Sequence, residues 1–286
     1  SQKRSFGRGA KVSLFTLGTM RATESLEKMY SIIKNAYYVG INHIETAPSY
    51  GDAESLIGNS IKKLAIEENI KEKNWVITSK VLPKGDFDFL KNNFKKSLKN
   101  LNREKINNLA IHGLNLKQHL DWVLSGEGKK FISWILEKEL VDQVGFSSHG
   151  SYSLIQDAIN CEVFTFCSLH LHYLDQSKIA LAEEAIKKGM GVLAISPADK
   201  GGRLYSPSDI LIEASKPFHP LELAYRFLLA KGITTLSLGA TNKKDFEFAH
   251  KLRNSFEKLT KLEKSALNKI EEVSNERLNS TKCEQC

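Results

Sequence analysis

Short apolar runs alternate along the chain with longer stretches of helical period. Eight of the runs read as strands, at residues 14–18, 42–46, 75–80, 107–112, 143–147, 163–169, 192–196 and 235–239. The stretches between them are amphipathic. Leu26, Met29, Ile33 and Ala36, for example, are spaced by three and four and so share one helix face. Three junctions repeat the same device. Gly40-Ile41, Gly189-Met190 and Gly232-Ile233 each put a glycine where a helix stops in a left-handed turn and a strand begins. This alternation predicts an α/β fold with a parallel sheet wrapped by helices.

An eight-unit series either closes as a (β/α)8 TIM barrel or opens as a doubly wound sheet. No G-x-G-x-x-G follows the first strand, which runs into Leu17-Gly18-Thr19-Met20, so the usual open-sheet dinucleotide site has no support. The length of 286 residues suits one barrel of about 250 with additions. We therefore expect a single barrel domain over residues 1–280. Phe6-Gly7-Arg8-Gly9 reads as the turn of an N-terminal β-hairpin that plugs the bottom of the barrel. Leu259, Leu262, Ile270 and Val273 mark an extra C-terminal helix over about 256–280, outside the repeat, and 281–286 form a tail.

Composition changes this picture little. A hydrophobic fraction of 41% and a charged fraction of 26% suit a globular chain with a full core. No run of 18 apolar residues occurs and Ser1-Gln2-Lys3-Arg4 is no secretory leader, so the expectation is a cytoplasmic protein without a membrane span. The net charge of +8 is scattered among acids, as from Lys258 to Glu276, which reads as solvated helix faces and not as a nucleic-acid surface. Cys161 and Cys167 fall in apolar segments, and Cys283 and Cys286 make one Cys-x-x-Cys, so no disulfide framework is expected.

In a β/α barrel the chemistry sits where strands end, so polar residues there carry information. The second strand ends Glu45-Thr46-Ala47-Pro48-Ser49-Tyr50-Gly51-Asp52-Ala53-Glu54, the third Thr78-Ser79-Lys80, and the fourth Ala110-Ile111-His112-Gly113. A tyrosine near pKa 10 is a useful acid at neutral pH only if a cation stabilises its phenolate. Lys80 supplies the cation, Glu45 keeps the buried ammonium charged, and His112 orients the substrate oxygen or shares the proton.

These motifs resemble the aldo/keto reductase family, whose second-strand signature is Asp-Thr-Ala, two residues, Tyr-Gly, two residues, Glu. The family's tyrosine falls on Tyr50, its lysine on Lys80 in Ile77-Thr78-Ser79-Lys80-Val81, its histidine on His112, and its aspartate on Glu45. The likeness continues through Val144-Gly145-Phe146-Ser147-Ser148 to Ser237-Leu238-Gly239-Ala240-Thr241-Asn242. It implies a barrel that binds NADP(H), in preference to NAD(H), across the rim. The cofactor would lie on Gly18, Thr19 and Met20, on Ser147 and Ser148, on Ser196, Pro197, Lys200 and Gly201, and on Gly239, Thr241, Asn242 and Lys243. The implied reaction is reduction of an aldehyde or ketone, a small-molecule carbonyl substrate. The alternative is a cofactor-binding, redox-sensing barrel with slow turnover, like the potassium-channel β subunits of the same family.

Within the family, Ile195-Ser196-Pro197 and Lys200-Gly201-Gly202-Arg203-Leu204 resemble a subgroup that carries a ferredoxin-like iron-sulfur segment after the barrel and would meet a redox partner. Cys283 and Cys286 then look like the start of its cysteine run. Two thiolates cannot hold a four-ligand cluster, so no cluster and no metal are expected in this chain. Glu45 stands for aspartate, Ser148 for asparagine, Ile195 for an aromatic residue stacked on the nicotinamide, and Asp245 near an arginine for the 2′-phosphate, with Lys243 and Lys244 as substitutes. His170 and His172 read as polar pocket residues in preference to metal ligands, since no third ligand accompanies them at matching spacing. His149 lies close enough to Ser148 to enter the site. The segment 197–220 reads as a long loop, either a lid or a surface insertion.

Overall fold

In the computed structural model, which describes residues 1–255 and 257–278, eight parallel strands close into a barrel. The chain opens with an antiparallel hairpin of β1 (Lys3–Arg4) and β2 (Val12–Ser13). The barrel strands follow as β3 (Phe15–Gly18), β4 (His43–Glu45), β5 (Val76–Val81), β6 (Ile106–Ile111), β7 (Val141–Ser148), β8 (Phe166–His170), β9 (Gly191–Ile195) and β10 (Thr235–Leu238). Each pairs with the next, and β10 pairs with β3 to close the ring, as the sequence predicts.

The helices α1 (Leu26–Tyr38), α2 (Ala53–Glu67) and α3 (Phe87–Asn100) follow β3, β4 and β5. Two helices, α4 (Lys117–Ser125) and α5 (Glu127–Glu137), fill the connection after β6. Then come α6 (Tyr152–Asn160), α7 (Ile179–Lys187), α8 (Asp209–Ser215), α9 (Pro220–Ala230) and α10 (Glu247–Leu252). The extra C-terminal helix is α11 (Lys261–Leu278); Cys283 and Cys286 lie outside the described residues.

Two expectations need correction. Residues 163 and 164 precede β8 instead of starting it; they are apolar because they pack onto the core, with the Phe164 ring 4.9 Å from Phe146. The segment 197–220 is not a structureless loop. It holds a 3-10 turn at Lys200–Tyr205 and then α8, whose N-cap Ser208 accepts a hydrogen bond from Leu211 N.

The main apolar core lies between strands and helices, whereas part of the barrel interior is polar. Alternation on β5 turns Thr78 and Lys80 inward and Ser79 toward the helices. A chain of buried hydrogen bonds crosses the interior: Thr235 Oγ1 to Thr16 Oγ1 at 2.8 Å, Thr16 Oγ1 to His43 Nδ1 at 2.7 Å, and His43 Nε2 to Thr78 Oγ1 at 2.7 Å. Asn108 Nδ2 then donates to Thr78 Oγ1 at 3.0 Å, and Gln143 Nε2 to Asn108 Oδ1 at 2.8 Å. Burial drives the His43 pKa down to about 3, so the ring is neutral, the form that can donate at one nitrogen and accept at the other.

Below this belt Phe6, fully buried, closes the bottom, its ring 5.3 Å from His43 and 5.0 Å from Phe166. Gly191 makes room for it: a Cβ there would lie 2.4 Å from the Phe6 ring. Gln143 Nε2 also donates to Phe6 O at 2.8 Å, and its Oε1 accepts from Arg8 N at 2.9 Å, so the hairpin is tied to the belt by both ends of one amide. A closed bottom leaves the opposite rim as the place for a ligand.

Candidate functional site

The turn after β4 sets the first side chain. Tyr50 N donates to Ala47 O at 3.0 Å and Ala53 N to Tyr50 O at 3.2 Å, while Gly51 takes φ +59, a conformation that favours glycine. Glu54, on the first turn of α2, is buried and accepts from Ser79 Oγ at 2.7 Å. Ser79 precedes Lys80, so this bond ties the Tyr50 turn to the strand that carries Lys80. The sequence motif includes Glu54, and the structure explains it as a brace outside the barrel.

Inside the rim, Lys80 Nζ donates to Tyr50 OH at 2.7 Å and pairs with Glu45 Oε1. Lys80 is 2% exposed and Glu45 7%, so the pair is out of water. Burial pulls Lys80 down to about 7 and raises the Tyr50 phenol. The extra methylene of Glu45 is thus accommodated. The His112 ring stands edge-on to Tyr50 with centroids 5.9 Å apart, and burial, then Lys80 and His149, lower its pKa to about 4. A neutral imidazole beside a phenol that is held by an ammonium can position an oxygen and deliver a proton to it.

A cavity of ≈ 160 Å³ opens beside Tyr50 and Glu45. Gly18, Thr19 and Met20 line one side, Ser196, Pro197 and Gly201 another, and Gly239 a third, so the structure brings these sequence-predicted positions together. Ile195 also lines it. Thr241, Asn242 and Lys243 instead line a separate groove of ≈ 590 Å³ with Lys28 and Lys34 of α1. Asp245 Oδ2 accepts from Thr241 N at 2.7 Å and from Asn242 N at 3.1 Å, so that loop's two amides are held by the chain itself.

Ser147 and Ser148 do not line the cavity. Ser147 Oγ accepts from Gly113 N at 3.0 Å. Ser148 Oγ donates to Leu114 O at 2.6 Å and accepts from Gly150 N at 3.0 Å, so its bonds bind the β7 end to the loop after β6. Lys200 lies in the 3-10 turn, where its backbone N–H donates to Asp199 Oδ1 at 2.6 Å.

Sequence reasoning missed Arg21, Asp199 and Tyr205, which line the cavity from the loops after β3 and β9. The Tyr205 hydroxyl lies 3.2 Å from that of Tyr225. Among the described residues the Arg21 guanidinium has no ion-pair partner, and it lies beside Gly202 and Gly239. Gly18 and Gly239 line the cavity and carry no side chain, so the strand ends present bare backbone there. Bare backbone and an unpaired guanidinium on one rim suit a diphosphate. Among the described residues no group of three His, Cys, Asp or Glu side chains could hold a metal ion, and no helix is long and apolar enough to cross a membrane.

Residues 15–277 match the sequence profile described as the Aldo/keto reductase family. The chain is 25% identical over 214 residues to an aldo-keto reductase, str7, of Strobilurus tenacellus, covering 71% of this chain and 61% of that protein. It is 28% identical over 204 residues to an aldose reductase of Encephalitozoon cuniculi, covering 66% of each. The match thus spans somewhat under two thirds of those curated relatives. Among solved structures, the holo form of aldo-keto reductase AKR11C1 from Bacillus halodurans superposes with TM-score 0.79 at 18% identity, covering 94% of this chain and 96% of that one. That likeness is one of fold.

Proposed function

Since the chain belongs to the aldo/keto reductase family, we propose that it reduces an aldehyde or ketone with a nicotinamide dinucleotide, Tyr50 acting as general acid. The observation that carries this reading is the contact of Tyr50 OH with Lys80 Nζ at 2.7 Å while Lys80 is paired with Glu45. A nicotinamide dinucleotide bound on that rim would supply hydride to the carbonyl carbon. Tyr50 protonates the carbonyl oxygen, and Lys80 stabilises the phenolate that is left. His112, neutral at physiological pH, holds the oxygen against the phenol.

The rim residues Gly18, Thr19, Ser196, Pro197, Gly201 and Gly239, with Arg21, would hold the dinucleotide. We read NADP(H) as preferred to NAD(H) because Lys28 and Lys243 line the groove beside Thr241 and Asn242, where a 2′-phosphate would gain from cations. We also read the protein as cytoplasmic, and, on the strength of Ser196-Pro197, Lys200 to Leu204, and Cys283 and Cys286, as nearest the subgroup with an iron-sulfur segment. The alternative, a slow redox-sensing barrel, is favoured by the internal bonding of Ser148, which leaves its hydroxyl no donor for a nicotinamide amide.

Fluorescence titration with NADPH and NADH tests the site without choosing a substrate. Saturable binding, tighter for NADPH, is expected; binding of neither dinucleotide would sink the reading. A second expectation concerns pH. The phenolate that forms needs protonated Lys80, whose pKa burial sets at about 7, so the rate of reduction should be full on the acid side and decline as pH rises through that value. A pH profile of kcat under saturating cofactor checks the sign. A rate that climbs across the same interval would remove Lys80 from this role.

A further inference from the structure

Four of the eight histidines stand at adjacent strand ends on this rim: His112 after β6, His149 after β7, His170 ending β8 and His172 just beyond it. The rings of three of them form a row, with the centroids of His149 and His170 6.0 Å apart and those of His170 and His172 5.0 Å, and His112, beside Tyr50, is within electrostatic reach of His149. His170 and His172 are 7% and 6% exposed, yet His170 Nε2 and His172 Nδ1 have no hydrogen-bond partner. Buried ring nitrogens are normally satisfied, so unpartnered ones on this rim, next to the cavity-lining Asp199, point to an external ligand.

The charges around the row indicate which ligand. Lys178 and Lys200 both lie within electrostatic reach of His149, and among the described residues neither ammonium makes an ion pair. Two carboxylates also face the row: Asp175, held by Ser177 N at 3.1 Å, and Asp199, 3.6 Å from His172 Nε2. The two lysines offset the two carboxylates, so protonation of the histidines decides the sign of the wall. Burial holds His149, His170 and His172 below the ordinary histidine range, helped by the lysines at His149 and by His172, Lys200 and His149 at His170, which falls to about 4, while Asp199 and Asp175 partly oppose it at His172. An entering anion would reverse that balance by giving the rings a charge to pair with.

We propose that the row of His149, His170 and His172, with Lys178, recognises a carboxylate carried by the substrate a few bonds from its reacting carbonyl. This rests on the reductase reading above, because His149 lies within electrostatic reach of His112, the group that would position the carbonyl oxygen. It commits the substrate to the class of oxo acids. The same chemistry would also attract the cofactor's diphosphate, and the test separates the two sources.

The experiment compares kcat/KM for 4-oxobutanoate and butanal, which differ chiefly in one carboxylate, in the wild-type chain and in Lys178→Met and His172→Phe. We expect wild type to favour the oxo acid by about tenfold or more, the worth of one charge-assisted hydrogen bond. Each variant should cut that ratio through KM for the oxo acid, and the wild-type preference should grow as pH is lowered from about 8 to about 6. Dinucleotide titration of both variants is the second arm. Weakened dinucleotide binding with an unaltered ratio would assign the row to the diphosphate and overturn the proposal. A wild-type ratio near one, or a ratio that neither variant changes, would overturn it too. Turnover of neither aldehyde with either dinucleotide would instead remove the reductase reading, and the proposal with it.

Discussion

Replacing Tyr50 by phenylalanine is expected to lower turnover by roughly 10²–10⁴-fold, the usual worth of a positioned general acid, while leaving dinucleotide affinity within about threefold of wild type. The change deletes one oxygen from a half-buried ring that also packs against the core, so the apolar contacts stay. What is lost is the hydroxyl that Lys80 Nζ contacts at 2.7 Å. Lys80 keeps its pairing with Glu45, so stability should hardly move. Steady-state rates and a binding titration on the same preparation separate the outcomes. A variant that binds cofactor and turns over at the wild-type rate would show that the proton comes from elsewhere, with the Lys80 ammonium the nearest candidate.

The ring of strands was readable because buried parallel strands are short apolar runs, and the glycine stops at Gly40, Gly189 and Gly232 all fall in the left-handed region, with φ of +88, +78 and +87. Tyr50, Lys80 and His112 were readable for a related reason. Lys80 lies within β5 and His112 directly follows β6, so strand register sets their places on the rim, while Tyr50 is placed by the short hydrogen-bonded turn after β4. Arg21, Asp199 and Tyr205 lie in loops after β3 and β9, and only tertiary packing decides which way such loops turn.

The polar belt was hidden differently. Thr16 sits between apolar neighbours, while His43, Thr78, Asn108 and Gln143 each stand beside one other polar residue in an otherwise apolar strand, and each alone looks like a tolerated polar residue. Only the closed ring of strands brings them within hydrogen-bond distance of one another. The pairing of Glu45 with Lys80 lies between these cases. Its charges were legible, but whether the longer glutamate side chain would still meet the lysine was a question of packing, which the fold answers.

That buried pairing leads to the prediction with the largest effect on stability. In Lys80→Met the Glu45 carboxylate stays 7% exposed but loses its cation, and its side chain has no other partner among the described residues. Breaking one side of a buried ion pair costs about 3–5 kcal/mol, because the remaining charge must either stay uncompensated or take up a proton. Urea unfolding should show a loss of that order. The double variant Lys80→Met with Glu45→Gln removes both charges, and it should recover at least half of the loss, since well-packed neutral groups replace such pairs at little cost. Neither variant should reduce a carbonyl at an appreciable rate, because the phenolate left on Tyr50 would have no adjacent ammonium. Stability and turnover therefore part company in the double variant: folding returns and catalysis does not. If Lys80→Met alone unfolds at the wild-type urea concentration, Glu45 does not depend on the lysine, and the ion pair is not what holds the Tyr50 site together.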